Sequence, residues 1–265
     1  MELELVGYFA SILMGLSLGL LGGGGAILTV PILVYLFKIN PMLATAYSLF
    51  IVGLTALFGG LKYYRRGEVD LKTGVTFATP SIIGVYLMRS FIIPNIPMNI
   101  GTIGSLNITK PFLIMIFFSL IMLLASFSMI KSKKEKKEQP VSRNSYILLF
   151  QGFMVGSVAG FVGAGGGFLI IPTLVMIVGL PMKRAIGTSL FIIATQSLLG
   201  FIGDIQHQVT IDWSLLFKIV LLALVGLFLG IKLSDKVSEN GLKKSFGFFV
   251  LTMGTLILID QLNKL

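Results

Sequence analysis

Cysteine is absent from the 265 residues, which excludes disulfides, thiol nucleophiles and thiolate metal sites whatever compartment the loops face. Histidine occurs once, as His207, so no histidine cluster can form around a metal. Charge is scarce as well, at 12% of residues against 55% hydrophobic ones. A soluble domain of this length needs far more polar surface, so the solvent of this chain is lipid. No signal peptide is expected, because Met1-Glu2-Leu3-Glu4 offers no basic region ahead of the first apolar stretch. The apolar stretches hold no nucleophile paired with a base and no pair of acids, which argues against an intramembrane enzyme. Neither a cofactor nor a metal is expected.

What the chain does have is a series of long apolar windows. Eight could cross ~30 Å of hydrocarbon at ~1.5 Å per residue: 3–21, 42–61, 72–93, 111–130, 145–162, 183–203, 213–233 and 243–260. Two shorter pieces, 26–37 and 168–179, each follow a glycine cluster, Gly22-Gly23-Gly24-Gly25 and Gly163-Ala164-Gly165-Gly166-Gly167. Displacing the chain by 141 residues lays 22–61 on 163–202 with 14 of 40 positions identical. The matches include Gly22/Gly163, Gly24/Gly165, Gly25/Gly166, Pro31/Pro172 and Ser48-Leu49-Phe50-Ile51 on Ser189-Leu190-Phe191-Ile192. Apolar composition does not generate matched glycine, proline and serine, so the chain is an internal repeat. Residues 1–130 make the first repeat, 131–144 a basic linker and 145–265 the second.

Charge placement orients the repeats. If all ten pieces cross, the connections 62–72, 131–144, 180–184 and 232–244 lie on one side and hold sixteen Lys and Arg, against four at the ends on the other. The basic side is then cytoplasmic, and the formal net charge of +10 needs no nucleic-acid partner. Five crossings separate the starts of the two repeats, so the repeats are inverted and both termini lie outside. Were the short pieces re-entrant, the repeats would be parallel and the basic 62–72 would share a face with the weakly charged 203–213, a poorer fit. The expected fold class is an all-α polytopic protein of the cytoplasmic membrane, with two inverted repeats of about five crossing segments each and glycine-broken helices.

Inverted repeats with broken helices place ligands where the repeats meet. Glycine runs let the backbone leave helical geometry, and the helix that restarts after them offers unpaired N–H groups to an anion. The candidate site therefore comprises Gly22, Gly23, Gly24 and Gly25 with Gly163, Gly165, Gly166 and Gly167, with helix starts at Ala26 and Phe168. Close helix packing is the alternative role for glycine, and Gly15-Leu16-Ser17-Leu18-Gly19 fits it better than the clusters do. Hydroxyl and amide donors inside the windows add Ser48, Thr188, Ser189 and Gln196. Arg89 is either a counter-charge for an anion or an anchor that snorkels outward. Asp204 and His207 are candidates for proton coupling, or else members of a solvated outer loop.

The run Gly22 to Pro31, its partner Gly163 to Pro172, and Ala185-Ile186-Gly187-Thr188-Ser189-Leu190 resemble the sulfite exporter family TauE/SafE across both repeats. The first repeat reads Ala44-Thr45-Ala46-Tyr47-Ser48-Leu49 where the second carries the Gly-Thr pair. The resemblance implies a secondary carrier that exports sulfite, a sulfonate or a related small organic anion, with membrane lipid as its surroundings. A channel for small ions built on the same broken helices is the alternative.

Overall fold

The computed structural model describes residues 2–103, 106–131, 145–206, 211–234 and 239–263. Its helices are α1 (Glu2–Leu21), α2 (Gly24–Leu36), α3 (Pro41–Arg65), α4 (Leu71–Asn95), α5 (Lys110–Ile130), α6 (Ser145–Val162), α7 (Gly167–Met176), α8 (Met182–Ile205), α9 (Trp213–Leu233) and α10 (Glu239–Asn263). Six of them are long and apolar enough to cross a membrane, while Tyr146–Val162 in α6 and Gly247–Asn263 in α10 are shorter apolar stretches. The linker expected at 131–144 lies outside the described residues apart from Lys131. A two-stranded hairpin, β1 (Asn99–Ile103) and β2 (Leu106–Thr109), sits between α4 and α5. The apolar windows did not reveal it, although Asn99-Ile100-Gly101-Thr102-Ile103 loosely alternates polar with apolar residues, as a strand does.

Helix starts are written locally. Asn40 Oδ1 accepts from the amide of Met42 with Pro41 at the first helical position of α3. The carboxylates of Asp70 and Asp212 accept from Thr73 N and Leu215 N at 3.0 Å in both cases. These side chains satisfy amides that a helix leaves open in its first turn.

The helices pair across the two halves of the chain: α1 with α9, α4 with α6, α3 with α8 and α5 with α10. Glycines set the first two pairs. Side chains at Gly15, Gly19, Gly226 and Gly230 would drive into the backbone of Ala223, Leu227, Ile12 and Leu16, so α1 and α9 touch main chain to main chain. The α4–α6 pair repeats this with Gly156 on Ser81, Gly160 on Val85 and Gly84 on Phe153. The correspondence is positional. Gly15 and Gly156 are 141 apart, their partners Ala223 and Ser81 are 142 apart, and the contacts of Gly19 and Gly226 match those of Gly160 and Gly84 in the same way. Small residues permit such approach, and in lipid, close packing replaces the hydrophobic drive between helices.

Contact registers give the helix directions. Gly15 meets Ala223 and Gly19 meets Leu227, while Tyr47 meets Asp212 and Gly59 meets Leu227, so α1, α3 and α9 point one way. Ser81 meets both Gly156 and Gln196, and Val85 meets both Gly160 and Gly200, so α4, α6 and α8 share a direction. Gly53 lies on Leu198 and Gly60 on Phe191, so α3 and α8 are antiparallel. The first short segment, α2, runs back along α1: Gly25 lies against Ser17 and Leu18, and the Phe37 ring packs on Gly7 and edge-on to Tyr8 with centroids 5.2 Å apart.

The core is largely apolar, yet large apolar side chains also cover the outside. Tyr146 (84% exposed), Leu124 (70%) and Phe150 (65%) face outward, whereas Ser48, Ser81, Ser189, Gln196 and Ser197 are fully buried. Large apolar side chains face outward while these polar ones lie inside, as in a multi-pass membrane protein.

The glycine seams carry the first prediction. Gly15→Val and Gly156→Val each force two backbones apart at matched positions. Each should lower stability by about 1–3 kcal/mol or more, read as a fall in the thermal midpoint of the purified protein, while Leu124→Val on the exposed face should leave the midpoint unchanged.

Candidate functional site

Both glycine clusters break the helix by adopting left-handed backbone. Gly22 (φ +62°) and Gly23 (φ +146°) separate α1 from α2; Gly163 (φ +75°), Gly165 (φ +65°) and Gly166 (φ +67°) separate α6 from α7. Side chains are strained at such angles and glycine is not. Gly24, Gly25 and Gly167 keep negative φ and belong to the helices that follow. The helices therefore restart at Gly24 and Gly167, ahead of the Ala26 and Phe168 expected from sequence, because the glycine runs extend into their first turns.

The two breaks meet. A Cβ on Gly167 would lie 2.5 Å from Gly23 Cα and 2.6 Å from Ile193 Cδ1, so the tips of the α1–α2 and α6–α7 hairpins touch backbone to backbone beside Ile193. Each tip also rests on the opposite half. Gly22 abuts Ile186 on α8, and Gly163 abuts Thr45 on α3, residues that are themselves 141 apart.

The side chains facing the tips differ between the halves. On α8, Ser189 donates its hydroxyl to the carbonyls of Gly22 and, at 2.8 Å, Ile186. Its repeat mate Ser48 lies between Thr45 and Val52 on the face of α3 that contacts Gly163 and Gly165, and its buried hydroxyl has no partner. Gln196 Nε2 donates to the carbonyl of Gly165, and its Oε1 accepts from Ser81. Ser197 Oγ would be 3.2 Å from a Cβ on Gly165 and is buried without a partner. Hydroxyls and amides thus serve carbonyls that the helix breaks set free, and two hydroxyls remain open beside the second break.

Thr188 lies elsewhere. Its Oγ1 accepts from the amide of Asp70 at 2.9 Å, and Tyr47, its repeat mate, accepts from the amide of Asp212 at 2.6 Å. The two hydroxyls fasten the matched loops whose aspartates cap α4 and α9.

Arg89 is drawn inward rather than snorkelling, at 2% exposure. Nη1 donates to Thr45 Oγ1 at 3.1 Å and to Asp204 Oδ1 at 3.3 Å. Nε and Nη2 are buried with no partner. Asp204 is 12% exposed and ion-paired, instead of standing in a solvated loop. Arg89 sits in a π-helical turn of α4, Met88–Ile92, a local widening often found where helices carry function. His207 lies outside the described residues.

The sequence model of the sulfite exporter TauE/SafE family matches residues 8–257. The chain belongs to this family. A "Probable membrane transporter protein" of Xylella fastidiosa is 28% identical over 253 residues, 93% of this chain and 91% of that protein. Proteins of the same description from Bacillus subtilis (26% identical over 249 residues, 93% and 96%) and Methanocaldococcus jannaschii (27% over 268 residues, 94% of each) align over comparable spans. No solved structure matches the chain.

This TauE/SafE protein is thus a multi-pass membrane protein of a transporter family, not of an enzyme family. Sequence reasoning named both glycine clusters, Ser48, Ser189, Gln196 and Arg89; the structure sets the clusters, Ser189 and Gln196 in contact and joins Arg89 to the second break only through Thr45. Ser197, Ser81 and Thr45 were missed. The signal for Ser197 was its place next to Gln196 inside an apolar helix; Thr45 and Ser81 are threonine and serine residues of a kind common in such helices and carry no signal of their own.

Thr188→Val should release the Asp70 amide and lower stability by about 1 kcal/mol, and Tyr47→Phe should do the same at the Asp212 loop. Thermal melting of each variant reads the loss; anion binding by the folded protein should stay at the wild-type level.

Proposed function

We propose that this protein exports a small oxoanion such as sulfite, a sulfonate or a related organic anion from the cytoplasm by alternating access. The observation that carries the reading is the meeting of two glycine-broken hairpin tips, with the buried, unpartnered hydroxyl of Ser197 against Gly165 and that of Ser48, also buried and unpartnered, between Thr45 and Val52 on α3. Neutral donors around freed backbone suit an oxoanion, whose several oxygens each accept hydrogen bonds. The family's name supports sulfite as the first anion to test.

The same contacts support inverted repeats. The helices of the two halves pair in matched positions, and α3 and α8, which occupy equivalent places, run antiparallel. Because α2 returns to the level of Gly7 before α3 begins, the starts of α1 and α3 fall on one side. That agrees with the charge count, in which the basic linker 131–144 is cytoplasmic and both termini are outside. In this structure Gly23 and Gly167 are in contact, so substrate lodges beside the tips, against the second break, and the tips part as the site changes its exposure.

Two measurements test the proposal. Gln196→Leu and Ser197→Val should weaken sulfite binding by about tenfold each with folding retained; affinity equal to wild type in both would refute the site. Since the chain has no native cysteine, a single Cys at Ser132 reports the topology. It should resist a membrane-impermeant thiol reagent in intact cells, and labelling from outside would overturn the inverted arrangement.

A further inference from the structure

Three contact layers join α4 to α8 as the two helices run side by side: Ser81 with Gln196, Val85 on Gly200, and Arg89 with Asp204. Each step is one turn, so the ion pair lies about 12 Å along the seam from the polar pair beside the second break. The two ends are also joined through α3, because Arg89 donates to Thr45 and Thr45 packs on Gly163.

The guanidinium is planar, with two edges that can each grip an oxoanion. One edge, through Nη1, holds Thr45 and Asp204. The other, formed by Nε and Nη2, presents parallel N–H donors that are buried and unsatisfied in a residue only 2% exposed. A buried charged donor pair without acceptors is unfavourable, and the fork matches the spacing of two oxygens on one sulfite, sulfonate or carboxylate group. The matched positions of the other half carry Ile231 and Tyr63 in place of Arg89 and Asp204. Among the described residues, the matched place in the other half therefore lacks this pair.

We propose that the Nε–Nη2 edge of Arg89 is a second oxoanion station, reached by the anion from the site beside Gly165, and that the negative charge of Asp204 on the opposite edge keeps binding there weak enough for release. The inference rests on the export reading above and adds to it a second place on the route, one that a neighbouring carboxylate weakens. Arg89 attracts the anion, Asp204 repels it across the same guanidinium, and Thr45 holds the plane in register with the second break.

The experiment measures calorimetric binding of sulfite, methanesulfonate and acetate to purified protein, together with efflux from proteoliposomes. Arg89→Gln should weaken binding about tenfold or more, and Arg89→Lys should weaken it less, because the charge stays but the fork is lost. Asp204→Asn, which keeps the shape, should tighten binding about tenfold and slow efflux. Wild-type or weaker affinity in Asp204→Asn overturns the proposal. So does an Arg89→Gln/Asp204→Asn double variant that regains stability with wild-type affinity, the outcome expected of a structural ion pair. If Gln196→Leu abolishes binding while the Arg89 and Asp204 variants bind as wild type, this inference falls and the export site stands. If the wild type binds none of the three anions, both fall.

Discussion

Backbone that leaves the helix in an apolar interior must have its N–H and C=O groups satisfied by protein, and the architecture follows from meeting that demand at two points. The breaks at Gly22 and Gly163 free carbonyls at the centre of the molecule. Ser189 takes the carbonyl of Gly22, Gln196 takes that of Gly165, and Ser81 holds Gln196 in place. These donors stand on α8 and α4, and the hairpin tips they serve touch each other at Gly23 and Gly167. The glycine seams between α1 and α9 and between α4 and α6 hold the hairpins at that depth.

On this scaffold the two halves match in their loop fasteners and diverge in their buried polar side chains. The loop fasteners are equivalent, Asp70 to Thr188 in one place and Asp212 to Tyr47 in the other. The seams match at three glycines, Gly15 with Gly156, Gly19 with Gly160 and Gly226 with Gly84. The polar side chains do not: the positions of Gln196 and Ser81 are occupied in the other half by Thr55 and Ala223, and those of Arg89 and Asp204 by Ile231 and Tyr63. The frame is thus matched between the halves while its buried polar side chains are not.

The chemistry is sparing. One buried guanidinium shares its charge with one carboxylate, and the remaining donors near the second break are neutral. Neutral donors recognise oxygens without the strong retention that a lone positive charge would impose in a low-dielectric interior. Release matters as much as capture in a protein that moves its ligand through.

The sequence by itself determined the apolar segments, the two breaks and the repeat, because hydropathy, glycine freedom and proline placement act over a few residues and leave their mark in order along the chain. It also marked Ser48, Ser189, Gln196 and Arg89 as polar groups that an apolar helix tolerates only for a reason. Tertiary structure alone decided what the reason was in each case. The partnerships Ser81–Gln196 and Arg89–Asp204 each span 115 residues, and they exist only because α4 and α8 present these faces to each other. The same holds for Thr188, whose hydroxyl accepts from the Asp70 amide 118 residues away, and for Ser197, whose hydroxyl is singled out by the glycine it faces. Which helix faces meet is fixed by close packing of backbones at Gly15, Gly84 and Gly156, a property of pairs of distant segments that no single stretch of sequence contains.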